Sequence, residues 1–140
     1  MRITSSGMAA GAEATLVARK RQPCWTRNEP DSWLCMDLGR NRLLRPTHYT
    51  LCHGCGEPGM DLVAWAIEGF HAEANIWIDL SGADHEGGRL QSPWGVKTFR
   101  VEAQGAKWRY LRVRITGPNA RGTYELPICA IEFYGQLFRA

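Results

Sequence analysis

Hydrophobic and polar residues alternate along several short segments of this chain. Leu111, Val113 and Ile115 alternate with Arg112 and Arg114, which is a clear period of two. A period of two is typical of a β-strand that buries one face and exposes the other. The same period occurs in residues 33–38, 48–52, 96–101 and 128–134. The pattern therefore predicts an all-β chain made of short strands.

Residues 31–39 and 45–51 carry the most informative part of this pattern. They predict a half-buried strand, a tight loop and a second strand. Glycine and proline recur at short intervals through the rest of the chain, as in a β-sandwich or barrel. No internal repeat or linker interrupts the pattern. We expect a flexible leader at residues 1–13 and one domain at residues 14–138.

A glycine-rich segment supports a competing hypothesis. Residues 54–59 read GCGEPG and match the dinucleotide-binding pattern, and apolar residues follow at helical spacing up to Phe70. A nucleotide-binding enzyme is therefore an alternative. Two features oppose it. The preceding strand carries Thr47, His48 and Thr50, although a central parallel strand should be apolar, and Pro58 lacks a backbone N–H where phosphate would bind.

Composition narrows the function further. The 140 residues carry a net charge of only +3, with no long basic run, so we expect no nucleic-acid partner. No apolar run is long enough to span a bilayer, and the N-terminus lacks the apolar centre of a signal peptide. The cysteine count is five, an odd number. Reduced thiols and a cytoplasmic location are the expectation.

Candidate chemistry is sparse. Cys52 and Cys55 have C-x-x-C spacing, but a structural zinc site wants four ligands and the other cysteines are isolated. Asp84, His85 and Glu86 could bind a cation, although a solvated loop explains them as well. No nucleophile elbow, phosphate-binding loop or zinc-protease motif occurs. We therefore expect no catalysis, no cofactor and no bound metal.

An ordered series of short motifs carries a family resemblance. It comprises W-T-x-N-x-P-x-S-W from Trp25, D-L-G from Asp37, P-T-H-Y-T-L-x-H-G from Pro46, L-x-x-W-x-I-E-G from Leu62, W-x-x-L from Trp77, T-F from Thr98, R-Y-L-R-V from Arg109, G-x-N-x-x-G from Gly117 and I-E-x-Y-G from Ile131. The order resembles discoidin-type domains, which are similar to coagulation factor C domains. It looks closest to the intracellular branch found beside BTB and HECT ubiquitin-ligase modules.

The resemblance implies an eight-stranded antiparallel jelly-roll sandwich of the galactose-binding-like fold, which binds through its end loops and catalyses nothing. It also implies that residues 62–69 form a strand rather than a helix. Residues 70–75 depart from the family, which often has a Ser-x-Asp-Gly turn there. The secreted branch's disulfide between the two ends of the domain has no evident counterpart.

Alternate loops of an antiparallel sandwich lie at opposite ends. Counted from a first strand at residues 15–19, one end collects the longer loops 20–32, 54–61, 81–95 and 117–127. Their candidate ligand-binding residues are Trp25, Arg27, Asn28, Glu57, His85, Trp94, Asn119 and Arg121. Trp25 could instead plug the sandwich, and the two asparagines could satisfy turn backbones.

The favoured function is non-catalytic recognition of a protein partner within an intracellular assembly, for which the resemblance suggests a link to ubiquitin ligases. The alternative is binding of a carbohydrate or lipid headgroup, which would require Trp25 and Trp94 beside Arg27 or His85 in one pocket. The nucleotide-binding enzyme is the third hypothesis.

Overall fold

The computed structural model describes residues 1–18, 20–82, 88–102 and 105–139. Nearly all regular structure in these residues is β-strand, as the alternating pattern predicts. The strands are β1 (Arg2–Ser5), β2 (Met8–Ala10), β3 (Trp25–Thr26), β4 (Trp33–Asp37), β5 (Arg42–His53), β6 (Trp65–His71), β7 (Ile76–Asp79), β8 (Val96–Arg100), β9 (Tyr110–Ile115) and β10 (Ile128–Arg139).

Eight of these strands form two antiparallel sheets. The larger sheet has the order β1-β4-β9-β6-β7, and the smaller sheet has the order β10-β5-β8. Strands β2 and β3 pair separately. Apart from β6 and β7, neighbours in the sheets are not consecutive along the chain, as in a jelly roll. The predicted eight-stranded antiparallel sandwich is confirmed.

The core lies between the two sheets and is centred on aromatic side chains. Tyr49 stacks on Phe99 with ring centroids 5.2 Å apart, and Trp65 meets the edge of Phe99 at 5.3 Å. The indole N–H of Trp65 donates a hydrogen bond to the Tyr49 hydroxyl over 3.0 Å. Because Trp65 belongs to the larger sheet and the other two to the smaller, this cluster joins the layers.

The most informative stretch of the sequence folds as the pattern predicts. Its two halves become β4 and β5, which lie in different sheets. The segment after the glycine-rich loop becomes β6 and pairs with β9 from Trp65 to Gly69. A nucleotide-binding unit would need a helix at this position. The helical spacing of its apolar residues is misleading because both faces of β6 are covered, and Glu68 is only 6% exposed.

The N-terminal residues differ from the prediction in two ways. The expected flexible leader contains β1, which pairs with β4 from Arg2 to Ser5, and β2, which pairs with β3. The expected first strand at residues 15–19 is instead a 3-10 helix at Glu13–Val17. Its backbone bonds close locally, from Thr15 N to Ala12 O and from Ala18 N to Thr15 O, and Leu16 enters the core. The short 3-10 helix is therefore sufficient to bury Leu16.

Among the described residues, no helix is long and apolar enough to cross a membrane.

Candidate ligand-binding loop rim

Four loops meet at one end of the sandwich, as the topology predicts. We call residues 20–32, 54–61, 88–95 and 117–127 the loop rim. Backbone bonds join them: Cys24 N donates to Gly54 O, Trp94 N to Cys55 O, Ala120 N to Asp61 O, and Thr26 N to Leu126 O. Loops that bind one another in this way form a continuous surface on a rigid sheet.

A buried histidine organises the second of these loops. The Nε2 of His53 lies 2.8 Å from Met60 O, and its Nδ1 accepts a hydrogen bond from Cys55 N over 3.1 Å. This pairing assigns the proton to Nε2, because Nδ1 must be an acceptor. Burial lowers the pKa of His53, and its backbone hydrogen bonds only partly oppose that effect. The imidazole ring is therefore neutral, and its two backbone contacts hold the loop at residues 54–61 in its conformation.

Trp94 presents an aromatic ring at the rim. It adopts a left-handed φ of 51°, and its N–H bonds to Cys55. Its half-buried indole packs against Gly56, where a Cβ atom would lie 3.0 Å from the ring. The glycine therefore makes room for the ring. The sequence nominates Trp94, but nothing in the spacing reveals its contact with Gly56.

A charged network joins the loop that carries Trp94 to Asp61. The Oδ1 of Asp61 accepts hydrogen bonds from Ser92 N and Ser92 Oγ over 2.8 and 2.7 Å, and its Oδ2 lies 2.8 Å from Arg89 Nε. Burial alone would raise the pKa of Asp61, but the bonds from Ser92 and Arg89 outweigh it and lower the pKa to about 2. Asp61 is therefore ionised and holds Arg89, whose side chain is 50% exposed. Sequence reasoning missed this network.

The two candidate asparagines make backbone contacts. Asn119 is buried; its Oδ1 accepts bonds from Arg121 N and Thr123 N, and its Nδ2 donates to Glu125 O. The exposed Asn28 accepts a bond at Oδ1 from Tyr124 N over 2.8 Å. Asn119 thus fixes the backbone of its own loop and Asn28 joins two rim loops, which is the structural role that the sequence left open.

The remaining candidates are spread around the rim. Trp25 is half-buried in β3 opposite Ala10. Arg27 is exposed, and its side chain lies against Gly7. Glu57 and Arg121 are exposed on separate loops. His85 falls outside the described residues. A pocket that combines Trp25 and Trp94 with Arg27 or His85 therefore stays a prediction.

Metal chemistry has no support in the described part of the chain. No group of three or more histidine, cysteine or acidic side chains there is arranged to hold an ion. Cys52 and Cys55 are both free thiols.

No family model matches the chain, and no curated protein sequence matches it either. Solved structures do. The fucolectin from the serum of the striped bass Morone saxatilis is 18% identical, with a TM-score of 0.67 over 98% of this chain. This chain spans only 46% of the length of that fucolectin.

Two further similar structures are single domains. The lectin domain of lectinolysin, complexed with Lewis B antigen, is 15% identical with a TM-score of 0.67, covering 96% of this chain and 92% of that one. The CBM32 of AlyQ, in complex with 4,5-unsaturated mannuronic acid, is 12% identical with a TM-score of 0.66, covering 96% and 94%. Identities this low establish the fold alone. The chain shares the galactose-binding-like β-sandwich of these lectin and CBM32 domains, and nothing in the similarity points to the ubiquitin-ligase branch.

Proposed function

We propose that this chain is a non-catalytic carbohydrate-binding module and that sugars bind at the Trp94 side of the loop rim. The observation that carries the proposal is the partly exposed Trp94, whose indole is seated on Gly56 and whose loop also holds Arg89 and Ser92 of the Arg89–Asp61–Ser92 network. Similar folds in a fucolectin, a lectin domain and a CBM32 support a carbohydrate over the protein partner that the sequence favours.

The chemistry of this group suits a sugar ring. A pyranose has apolar C–H faces and a periphery of hydroxyl groups, so it is complementary to an aromatic face with polar groups beside it. Trp94 supplies the face. The guanidinium of Arg89 supplies charge-assisted donors, and its ion pair with Asp61 fixes its position before a ligand arrives.

A glycan array followed by calorimetry on the retained sugars tests the proposal. We expect binding that Trp94→Ala weakens by about tenfold or more, because loss of a stacked aromatic costs roughly 1–3 kcal/mol. Trp77→Ala is the matched control: Trp77 is also half-buried, but it lies on β7 in the larger sheet. It should leave the affinity unchanged.

Two results would reject the proposal. One is an array without any retained glycan while the protein remains folded by circular dichroism. The other is sugar binding that survives Trp94→Ala unchanged. A protein captured from a lysate and released by Trp94→Ala, with no glycan bound, would support the protein-recognition hypothesis instead.

A further inference from the structure

The smaller sheet concentrates the positive charge of the chain. Strands β5, β8 and β10 contain five of the 17 basic residues and one of the 14 acidic residues. Their net charge of +4 exceeds the +3 of the whole chain, so the rest of the molecule is slightly acidic. A clustered excess of this kind raises the local concentration of anions. The basic members are Arg42, Arg45, Lys97, Arg100 and Arg139.

A pocket opens within this basic region. It has a volume of about 370 Å³ and is lined by Arg45, Pro46, Thr47, His48, Arg100, Val101, Glu102 and Gly105. His48 and Arg100 are direct cross-strand partners in the β5–β8 pairing, so their side chains share a face of the sheet. The volume lies in the range of pockets that hold small ligands. It is too small for a nucleic-acid duplex.

Arg45, one of the two arginines that line the pocket, is held in place. Arg45 Nε donates to Gly105 O over 3.2 Å, and its guanidinium carbon lies 5.0 Å from the ring centroid of Phe138. Lys107 approaches the same ring, with Nζ 3.9 Å from the centroid. The π face of Phe138 thus gathers two cations that would otherwise repel each other. A positioned guanidinium loses less entropy when it binds an anion.

The polar groups beside it also have defined positions. Thr47 Oγ1 donates to Tyr134 O over 3.2 Å, so its oxygen accepts the hydrogen bond from His48 Nδ1 at 3.0 Å. This assignment puts a proton on Nδ1, and in that tautomer Nε2 is an acceptor, so the ring lines the pocket without donating to an anion. One acidic residue, Glu102, lines the pocket and opposes an anion there.

We propose that this pocket is a second binding site, separate from the loop rim, for a small ligand that carries a sulfate, phosphate or carboxylate group. Arg45 and Arg100 supply the positive charge and the guanidinium donors, and Glu102 limits the affinity. The site is distant from the rim: His48 lies five positions before His53, the last residue of β5 before the rim, which is about 17 Å at the rise of a strand.

Amide chemical-shift titrations of the full chain with sodium sulfate, sodium phosphate, glucuronate and glucose test this. We expect shifts in residues 45–48 and 100–102 with one or more of the three anions and none with glucose. Which anion binds tightest identifies the group. Arg100→Gln should weaken binding by about tenfold or more, since a charge-assisted bond is lost. Arg100→Lys retains the charge but not the planar guanidinium, so its affinity should lie between that of the unchanged protein and that of Arg100→Gln.

Two variants distinguish anion binding in the pocket from general electrostatic attraction of anions to the basic sheet. Lys97→Gln removes the same charge from the same strand, but Lys97 does not line the pocket. It should change the affinity by less than about twofold at 0.15 M salt. Glu102→Gln should strengthen binding about two- to threefold, because the opposing charge is removed. Thermal unfolding of each variant checks that the fold persists.

Three outcomes would overturn the proposal. They are no shift at residues 45–48 and 100–102 with any anion, equal losses in Lys97→Gln and Arg100→Gln, or a DNA duplex that binds and weakens equally with both. Trp94→Ala should leave anion binding intact. Failure of sugar binding at the rim and failure of anion binding on the sheet are thus separately observable.

Discussion

The indole of Trp94 rests on Gly56, and a Cβ atom at Gly56 would lie 3.0 Å from Cζ2 and 3.1 Å from Nε1 of that ring. These distances are too short for a methyl group unless the ring moves by a few tenths of an ångström. Gly56 itself is exposed and outside any strand. The position of the Trp94 ring therefore depends on Gly56 more strongly than the stability of the fold does.

Gly56→Ala should displace Trp94 without unfolding the protein. We expect the tryptophan emission to shift and the affinity for any rim-bound sugar to fall about threefold, with the free energy of unfolding changed by less than about 1 kcal/mol. Gly117→Ala is a suitable control in another rim loop, because its added methyl meets only the Ala64 side chain. A Gly56→Ala variant with unchanged emission and affinity would contradict the proposed seat of the ring.

Glu68 is a buried carboxylate on which two guanidinium groups converge. Arg114 donates from Nε and Nη2 to Oε1 and Oε2 over 3.0 Å each, and Arg112 Nε donates to Oε1 over 2.8 Å. Glu68→Ala should lower the free energy of unfolding by about 3 kcal/mol at pH 7, since Arg112 loses this carboxylate and Arg114 keeps only the exposed Asp31. Urea unfolding measures this. Glu57→Gln, at an exposed rim position, should change it by less than about 0.5 kcal/mol.

The same carboxylate predicts a pH dependence. Burial would raise the pKa of Glu68, but the bonds and charges of Arg114 and Arg112 outweigh it, so the pKa lies below 4.5. A carboxylate with a lowered pKa stabilises the fold above its unfolded pKa, and this contribution is lost as pH falls through the folded pKa. Unfolding free energy should therefore decline below about pH 4.5, and less steeply in Glu68→Gln. Equal slopes in both proteins would contradict the assignment.

The predictable part of this fold is local in sequence. Strand β9 follows from the alternation of Leu111 and Val113 with arginines, since one face of the strand meets the core and the other meets water. Strand β6 does not follow from periodicity, because Glu68 is buried by arginines that lie 44 and 46 residues away. Only the family resemblance indicated a strand there. Polarity alone could not reveal a partner on a distant strand.

The candidate site was likewise predictable only where it depends on local sequence. Trp94 is recognisable from its residue type and its place in a long loop. Asp61 meets Arg89 and Ser92 across 28 and 31 residues, through contacts that exist only after the loops have packed together. Asn119 was nominated on the same grounds as Trp94, yet its amide is satisfied within its own loop. Residue type predicts which loops are rich in functional groups. The packed geometry of the loops then decides which of these side chains are used in hydrogen bonds to the backbone.

His53 should remain neutral over the physiological pH range. Its Nδ1 accepts from Cys55 N–H, so a second ring proton would face a donor, and burial already lowers its pKa from 6.5. The unfolded chain binds that proton more readily, so stability from this group is complete above pH 6.5 and declines as pH falls toward the folded pKa. Ring ¹⁵N shifts should show the Nε2–H form at pH 7. A ring that titrates at or above pH 6.5 would contradict this.

The cysteines provide the last prediction. Burial raises the pKa of the Cys24 and Cys35 thiols to about 11 and that of Cys129 to about 12, where Cys52 adds to the effect. These thiols are neutral at pH 8 and therefore poor nucleophiles. Cys55 is buried as well, whereas Cys52 is partly exposed.

Iodoacetamide at pH 8 should therefore modify the native chain at Cys52 first, and all five cysteines only after denaturation. Intact mass and peptide mapping measure the number and place of the adducts. Cys52→Ser should abolish the fast adduct and leave the slow ones. Rapid modification of Cys52 and Cys55 together would mean that the pair is open and reactive, and would return the C-x-x-C segment to consideration as a redox site. A single fast adduct instead fits two unrelated thiols, one at the end of β5 and one held inside the rim by the His53 contact.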